Sequence, residues 1–229
     1  MTVCVVIPAL NEEQAIGGVV RGILPYVDRV IVVDNASTDA TAQIAQDSGA
    51  EIVHEPKLGY GRSCLAGIAA AHGSEIIVFM DGDGADDPVD IDAILAPIKS
   101  DQADFVVGSR INGHSEDGAL TLPQKFGNSL ACFLMRTFWK SPFTDLGPFR
   151  AIRAASLDSL KMEAPTYGWT VEMQTRALKQ KIRCAETPVS YRKRIGVSKI
   201  SGTVKGVFLA GVYILGVIGR EAVTPANKG

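Results

Sequence analysis

The feature that most constrains this chain is a regular alternation, in which apolar runs of strand length are each followed by a stretch of helical periodicity. Val3 to Ile7 reads as a buried strand, Asn11 to Leu24 as a helix with Ile16, Val19, Val20 and Ile23 on one face, and Arg29 to Val33 as a second strand. Ser37-Thr38-Asp39 then caps a helix through about Gln46, because short hydroxyl and carboxylate side chains accept from the free amides of a first helical turn. Glu51 to His54, Gly61 to His72 and Glu75 to Met80 continue as strand, alanine-rich helix and strand. A helix from about Val89 to Ile98 leads to a strand near Asp104 to Val107. This order predicts an α/β fold with a mostly parallel sheet flanked by helices.

Beyond Gly108 the pattern weakens. It reads as a polar loop (Ser109 to Gly118), a helix from about Pro123 to Trp139, a strand near Pro148 to Ile152 and a helix around Trp169 to Leu178. This last part is expected to elaborate the same sheet. A chain of 229 residues, 46% hydrophobic, has room for one domain plus an appendage. The expected division is a main domain over 1–201, an amphipathic helix over 202–220 and a tail over 221–229. The stretch Gly206 to Gly219 is free of charge but shorter than the roughly 20 residues a spanning helix needs. It suits either the surface of a bilayer or packing against the sheet or another subunit. No basic stretch precedes the first apolar run, so a cytoplasmic location is expected, with peripheral contact at the membrane face.

A net charge of -2 argues against a general nucleic-acid binder, so any polyanion site must be local. Cys4, Cys64, Cys132 and Cys184 are too scattered for a zinc cluster and too few for a disulfide scaffold. Ligands of open α/β sheets sit beyond the carboxyl ends of the strands. Three segments fall there: Pro8 to Glu13, Asp34 to Thr41, and Asp81-Gly82-Asp83-Gly84-Ala85-Asp86-Asp87. The aspartates repel one another unless a cation or solvent relieves them, and hard oxygens spaced like Asp81 and Asp83 suit Mg²⁺ or Mn²⁺ bridging to substrate phosphates. The alternative is a solvated turn capping the next helix. Near the other end, Arg192, Lys193, Arg194 and Lys199 form a cationic stretch without an acid, with Lys205 beyond it. Paired with the aspartates, such a stretch clamps a diphosphate; alone, it is a solvated basic loop.

These residues resemble a known family. V-V-I-P-A-L-N-E-E, V-V-D-N-A-S-T-D-A-T, G-Y-G-R at 59–62 and F-M-D-G-D at 79–83 are similar, in order and spacing, to motifs of the family 2 inverting glycosyltransferases of the GT-A fold. D-L-G-P-F-R-A-I-R (145–153) and R-K-R-I-G-V-S-K (192–199) look like patterns of its dolichyl- or polyprenyl-phosphate mannose and glucose synthase-like branch. The resemblance covers about residues 3 to 205. It implies a Rossmann-like sheet and transfer of a hexose from a UDP- or GDP-sugar to a polyprenyl phosphate. One alternative keeps the donor and uses a soluble or glycan hydroxyl; another is a nucleotide-binding module that has lost catalysis. Oligomeric state is left open.

By the same resemblance Pro8, Ala9, Leu10 and Glu12 line the base and ribose pocket and Asp34 accepts from the base. Asp81 and Asp83 hold the metal. Arg110, Arg194 and Lys199 contact phosphates, and Arg62, Gly82, Lys125 and Ser198 join the substrate-binding set, Lys125 standing roughly where the branch has an acceptor-side arginine. The chain departs from the pattern at Asn35 and Ala36, where a carboxylate and a glycine are usual, and at Ala85, which cannot ligate; Asp86 is the replacement candidate. A hydroxyl acceptor needs a carboxylate base, and Asp145 and Glu172 are the candidates, although an acid at a helix start such as Glu172 also serves the dipole. A phosphate acceptor, already ionised, needs no strong base. Trp169 and Tyr167 either stack on a sugar or pack in the core.

Overall fold

The computed structural model describes residues 1–196 and 204–224, with backbone alone for 204–210. Seven strands form one sheet: β1 (Val3–Ala9), β2 (Arg29–Asp34), β3 (Glu51–His54), β4 (Ile76–Phe79), β5 (Phe105–Ser115), β6 (Arg150–Arg153) and β7 (Cys184–Tyr191). Their spatial order is β3-β2-β1-β4-β6-β5-β7. All neighbours run parallel except β6, which is antiparallel to both β4 and β5. The helices are α1 (Ile16–Ile23), α2 (Thr41–Asp47), α3 (Tyr60–Ala70), α4 (Ile91–Lys99), α5 (Leu122–Trp139), α6 (Ala154–Leu160), α7 (Trp169–Lys179) and α8 (Val204–Val223).

The near-continuous apolar runs follow from burial of the sheet on both faces. Side chains alternate across a strand, so Val3, Val5 and Ile7 of β1 join α1 and α4 in one core layer, while Cys4 and Val6 join α3 and α7 in the other. A third cluster packs Ala131, Cys132 and Met135 of α5 and Val171 of α7 against Val217 and Ile218 of α8. The mixed sheet flanked by helices is the α/β architecture expected.

Three local expectations change. Residues 11–15 form a turn ahead of α1, with Asn11 at φ 52°. Ser37 Oγ accepts from the Asn11 amide at 3.0 Å and Thr41 Oγ1 from the Glu12 amide at 2.8 Å, so the first strand-end loop is tied to the second instead of coiling into a helix. The expected polar loop after Gly108 is the outer half of β5, which pairs with β7 up to Ser115 beyond an irregularity between Ser109 and His114. Its polar side chains belong to an exposed rim. The last 20 or so residues of the described chain form α8, which reaches Val223 rather than stopping at 220. No helix among the described residues is long and apolar enough to cross a membrane.

Candidate active site

Register places the polar strand ends together. Ala9 lies opposite Asp34 and Asp34 opposite His54, and β4 ends nearby at Phe79, so the loops after β1, β2, β3 and β4 share one edge of the sheet. A cavity of about 410 Å³ opens there, lined by Pro8, Ala9, Leu10 and Glu12 from the first loop and Asp81, Gly82 and Asp83 from the fourth. Arg194, from the far end of the chain, completes that wall.

Backbone pairing explains how Arg194 arrives. Past β7 the chain runs along the aspartate loop: Tyr191 bridges Asp86, the Arg192 amide donates to the Ala85 carbonyl at 2.8 Å, and the Ile195 amide to the Asp83 carbonyl at 2.9 Å. Gly84, at φ 76°, makes the turn that allows this, and a Cβ there would sit 3.3 Å from Ile195 Cδ1. The Arg194 guanidinium stands 3.1 Å from Glu12 Oε1 and 3.4 Å from Asp83 Oδ2, joining the first and fourth loops. Arg192 pairs with Asp87.

The electrostatics are those of crowded acids. Burial, then the charge of Asp83, pushes the Asp81 carboxyl up to about 7, and Tyr60 donates its hydroxyl to Asp81 Oδ1 at 3.1 Å. Burial and the charges of Asp81 and Asp83 push Asp86 well above the usual carboxylate range. Asp86 Oδ2 accepts from the Asp81 amide at 3.2 Å, while its Oδ1 is buried without a partner, as is Arg194 Nε. Excess negative charge on hard oxygens, one of them unsatisfied, fits a divalent cation. Among the described residues no three acidic, histidine or cysteine side chains converge as a ready-made cage.

Other expected residues lie elsewhere. Asp34 does not line the cavity; its carboxylate accepts from the Ser37 amide at 3.2 Å and meets His54 Nδ1 at 3.2 Å. Its neighbour Asn35 lines the wall instead, donating to the Glu55 and Lys57 carbonyls at 2.9 Å each and accepting from the Gly59 amide at 2.8 Å. Only an amide side chain can both donate and accept in this way, which accounts for asparagine where the family pattern has aspartate. Arg62 is placed by its own amide, which donates to the Pro165 carbonyl at 3.1 Å, and its side chain is not part of the wall. Ser198 and Lys199 lie outside the described residues.

Both candidate bases are corrected by their surroundings. Asp145 is fully buried, its Oδ2 accepting from the Arg110 amide at 2.8 Å and Nε at 2.9 Å and its Oδ1 from Nη2 at 2.7 Å. Burial alone would lower the Arg110 pKa, and this two-pronged pairing reverses that and raises it. Arg110 thus holds Asp145, its guanidinium 5.0 Å from the Tyr191 ring centre, and does not line the cavity. Glu172 is also fully buried. Its Oε2 accepts from the amides of Glu163 and Ala164 at 3.1 and 2.8 Å, and its Oε1 meets Arg176 and Arg220 at 3.0 and 3.1 Å. Neither acid reaches the cavity; both shape the loops around it. Trp169 is fully buried against Phe79, ring centres 4.6 Å apart, so it is core rather than a sugar platform. Lys125 is exposed on the first turn of α5, away from the cavity wall.

Sequence reasoning did not single out Leu58, Tyr60, Ser63 or Thr166, which line the cavity with Tyr167. Tyr60 sits inside the G-Y-G-R segment, which was the available signal. Thr166 had none, because its loop is held by contacts distant in sequence, from Glu172 to the Glu163 and Ala164 amides and from the Arg62 amide to the Pro165 carbonyl.

The pattern of Glycosyl transferase family 2 matches residues 4–160. An uncharacterized glycosyltransferase of Mycobacterium tuberculosis is 36% identical over 91% of this chain and 94% of its own length. A UDP-N-acetylglucosamine–dolichyl-phosphate N-acetylglucosaminyltransferase of Methanococcus voltae is 30% identical over 80% of this chain and 83% of its own. An undecaprenyl-phosphate mannosyltransferase of Micrococcus luteus is 29% identical over 96% of both. Among solved structures, glucosyl-3-phosphoglycerate synthase of Mycobacterium tuberculosis, in complex with Mn²⁺, UDP and phosphoglyceric acid, superimposes with a TM-score of 0.80 at 22% identity, covering 99% of this chain and 80% of that one; the likeness is one of fold. With the strand-end motifs, the sheet and the matched residues in agreement, the chain belongs to glycosyl transferase family 2.

Proposed function

We propose that this glycosyltransferase uses Mg²⁺ or Mn²⁺ to move a hexose, with inversion, from a UDP- or GDP-sugar to a polyprenyl phosphate. The observation that carries the reading is the cavity in which Asp81 and Asp83 stand together with Arg194. Asp81 and Asp83 would hold a divalent ion, which would supply positive charge to offset that of the departing diphosphate. Arg194 contributes a fixed cation to the same group, and the first loop, from Pro8 to Glu12, lies where the nucleoside end of a donor would rest. In the transfer, an acceptor oxygen bonds to the anomeric carbon from the face opposite the diphosphate. The bond to the diphosphate oxygen breaks, and the nucleoside diphosphate leaves with the electron pair.

A phosphate acceptor is favoured over a hydroxyl by proton accounting. Glu12 and Asp83 are paired with Arg194, Asp81 accepts from Tyr60, and Asp145 and Glu172 are saturated anchors. An acceptor that arrives ionised needs no base, which fits a cavity wall whose acids, Glu12, Asp81 and Asp83, each already have a polar partner. The relatives named for dolichyl phosphate and undecaprenyl phosphate support the same choice. Mass spectrometry of products from a panel of UDP- and GDP-hexoses with a short polyprenyl phosphate tests it. A metal-dependent glycosyl phosphate product is expected. Transfer to hydroxyl acceptors alone, or nucleotide binding with no transfer from any donor, overturns it.

A further inference from the structure

Helix α5 has two apolar faces. Its inner one, through Ala131, Cys132 and Met135, packs on α7 and α8. Its outer one is uncovered among the described residues: Leu122, Phe126 and Phe133 fall on one stripe at helical spacing and remain 81%, 72% and 61% exposed. Scattered exposed apolar residues are ordinary, but two phenylalanines and a leucine aligned on one helix are a patch that needs an occupant.

The surrounding charge names the occupant. From Gly118 to Thr144 the sequence contains no acid, although the chain as a whole carries a net charge of -2. The cations in that stretch are Lys125, Arg136 and Lys140, all exposed and none in an ion pair with a described residue. Aromatic and aliphatic side chains on a helix whose charged residues, Lys125 and Arg136, are both cations match the interface of an anionic bilayer, where rings enter the headgroup boundary and the cations meet lipid phosphates. A second copy of the chain would bring the same cations face to face, which costs energy instead of gaining it.

A second set of exposed apolar side chains lies on α8. α8, on which α5 packs, turns Val212 and Leu215 outward, about half exposed, and its Tyr213 ring lies 6.5 Å from that of Tyr167, a cavity residue. We propose that the outer face of α5 is the surface by which this protein docks on an anionic membrane. This deepens the polyprenyl-phosphate reading and rests on it for its purpose, since such an acceptor is carried by a membrane.

The test uses the full chain and vesicles of phosphatidylglycerol and phosphatidylcholine, with no nucleotide and no polyprenyl phosphate, so that docking and transfer can fail separately. Co-sedimentation with the anionic vesicles is expected, weakening with added salt and absent with phosphatidylcholine alone. The double variant Phe126→Ser/Phe133→Ser, and separately Arg136→Glu, should each lower partitioning by roughly tenfold or more. Both change exposed side chains and should keep the parent melting temperature. The proposal is overturned if the parent stays in the supernatant, or if the variants bind vesicles as well as the parent. It is equally overturned if sedimentation velocity shows a vesicle-inert dimer that the double variant dissociates.

Discussion

Glu172 shows how a single acid can be read in two ways until its neighbours are seen. Its sequence position, at the start of a helix, suits a catalytic base and a dipole partner equally, and the amides of Glu163 and Ala164 that decide the matter have no signature in the sequence. A carboxylate that takes two backbone amides and two guanidinium groups in a fully buried position is an anchor. Removing it strips the Glu163 and Ala164 amides of their acceptor while Arg176 and Arg220 keep Glu221, so Glu172→Ala should destabilise the protein by about 1–3 kcal/mol in urea melts. Glu172→Gln keeps an acceptor for the loop amides and should retain much of the turnover, whereas a base would lose it with no loss of stability. Asp145 was misread for the same reason. Arg110 sits 35 residues away in sequence and becomes its partner only once β5 is placed. The place of Asp81 and Asp83 in the cavity wall, by contrast, was legible, because ligands of open α/β sheets sit beyond the strand ends and these aspartates directly follow the strongest apolar run.

At the scale of elements, the first half of the sheet could be read from apolar runs because its strands are buried on both faces. β7 could not: Cys184–Tyr191 is a half-exposed edge with Pro188 inside it, a pattern that sequence periodicity assigns to no strand. The outer half of β5 was hidden for the same reason, since its pairing with β7 is what orders it. Close approach of elements leaves a clearer mark. A Cβ on Gly61 would lie 1.9 Å from the Ala164 carbonyl oxygen, so the N-terminus of α3 is pressed against the loop that carries Thr166 and Tyr167. Gly61→Ala should therefore push that loop outward, cost about 1–3 kcal/mol in thermal melts and weaken nucleotide-sugar binding, while the same change at the open Gly127 should be mild.

The molecule as a whole gathers mutually repelling acids at one edge of its sheet. Folded Asp81 is pushed up to about 7, above the ordinary carboxylate value near 4, and Asp86 shifts in the same direction. Between those values the folded protein holds protons that the unfolded chain has lost, so stability falls as pH rises through this window. Metal-free protein should melt at a higher temperature near pH 5 than near pH 8, because paired acids with lowered values, such as Asp104, are ionised in both states across that window and add no slope to it. Mn²⁺ should raise the melting temperature at pH 8 far more than at pH 5, because it competes with the proton for the same oxygens. Calorimetric titration of UDP and of GDP into the protein with Mn²⁺, repeated on Asp83→Ala, tests the central claim most directly. The account predicts metal-dependent binding of at least one nucleotide in the parent and a loss of tenfold or more in the variant. Equal affinity in both proteins, or binding indifferent to metal, would contradict it.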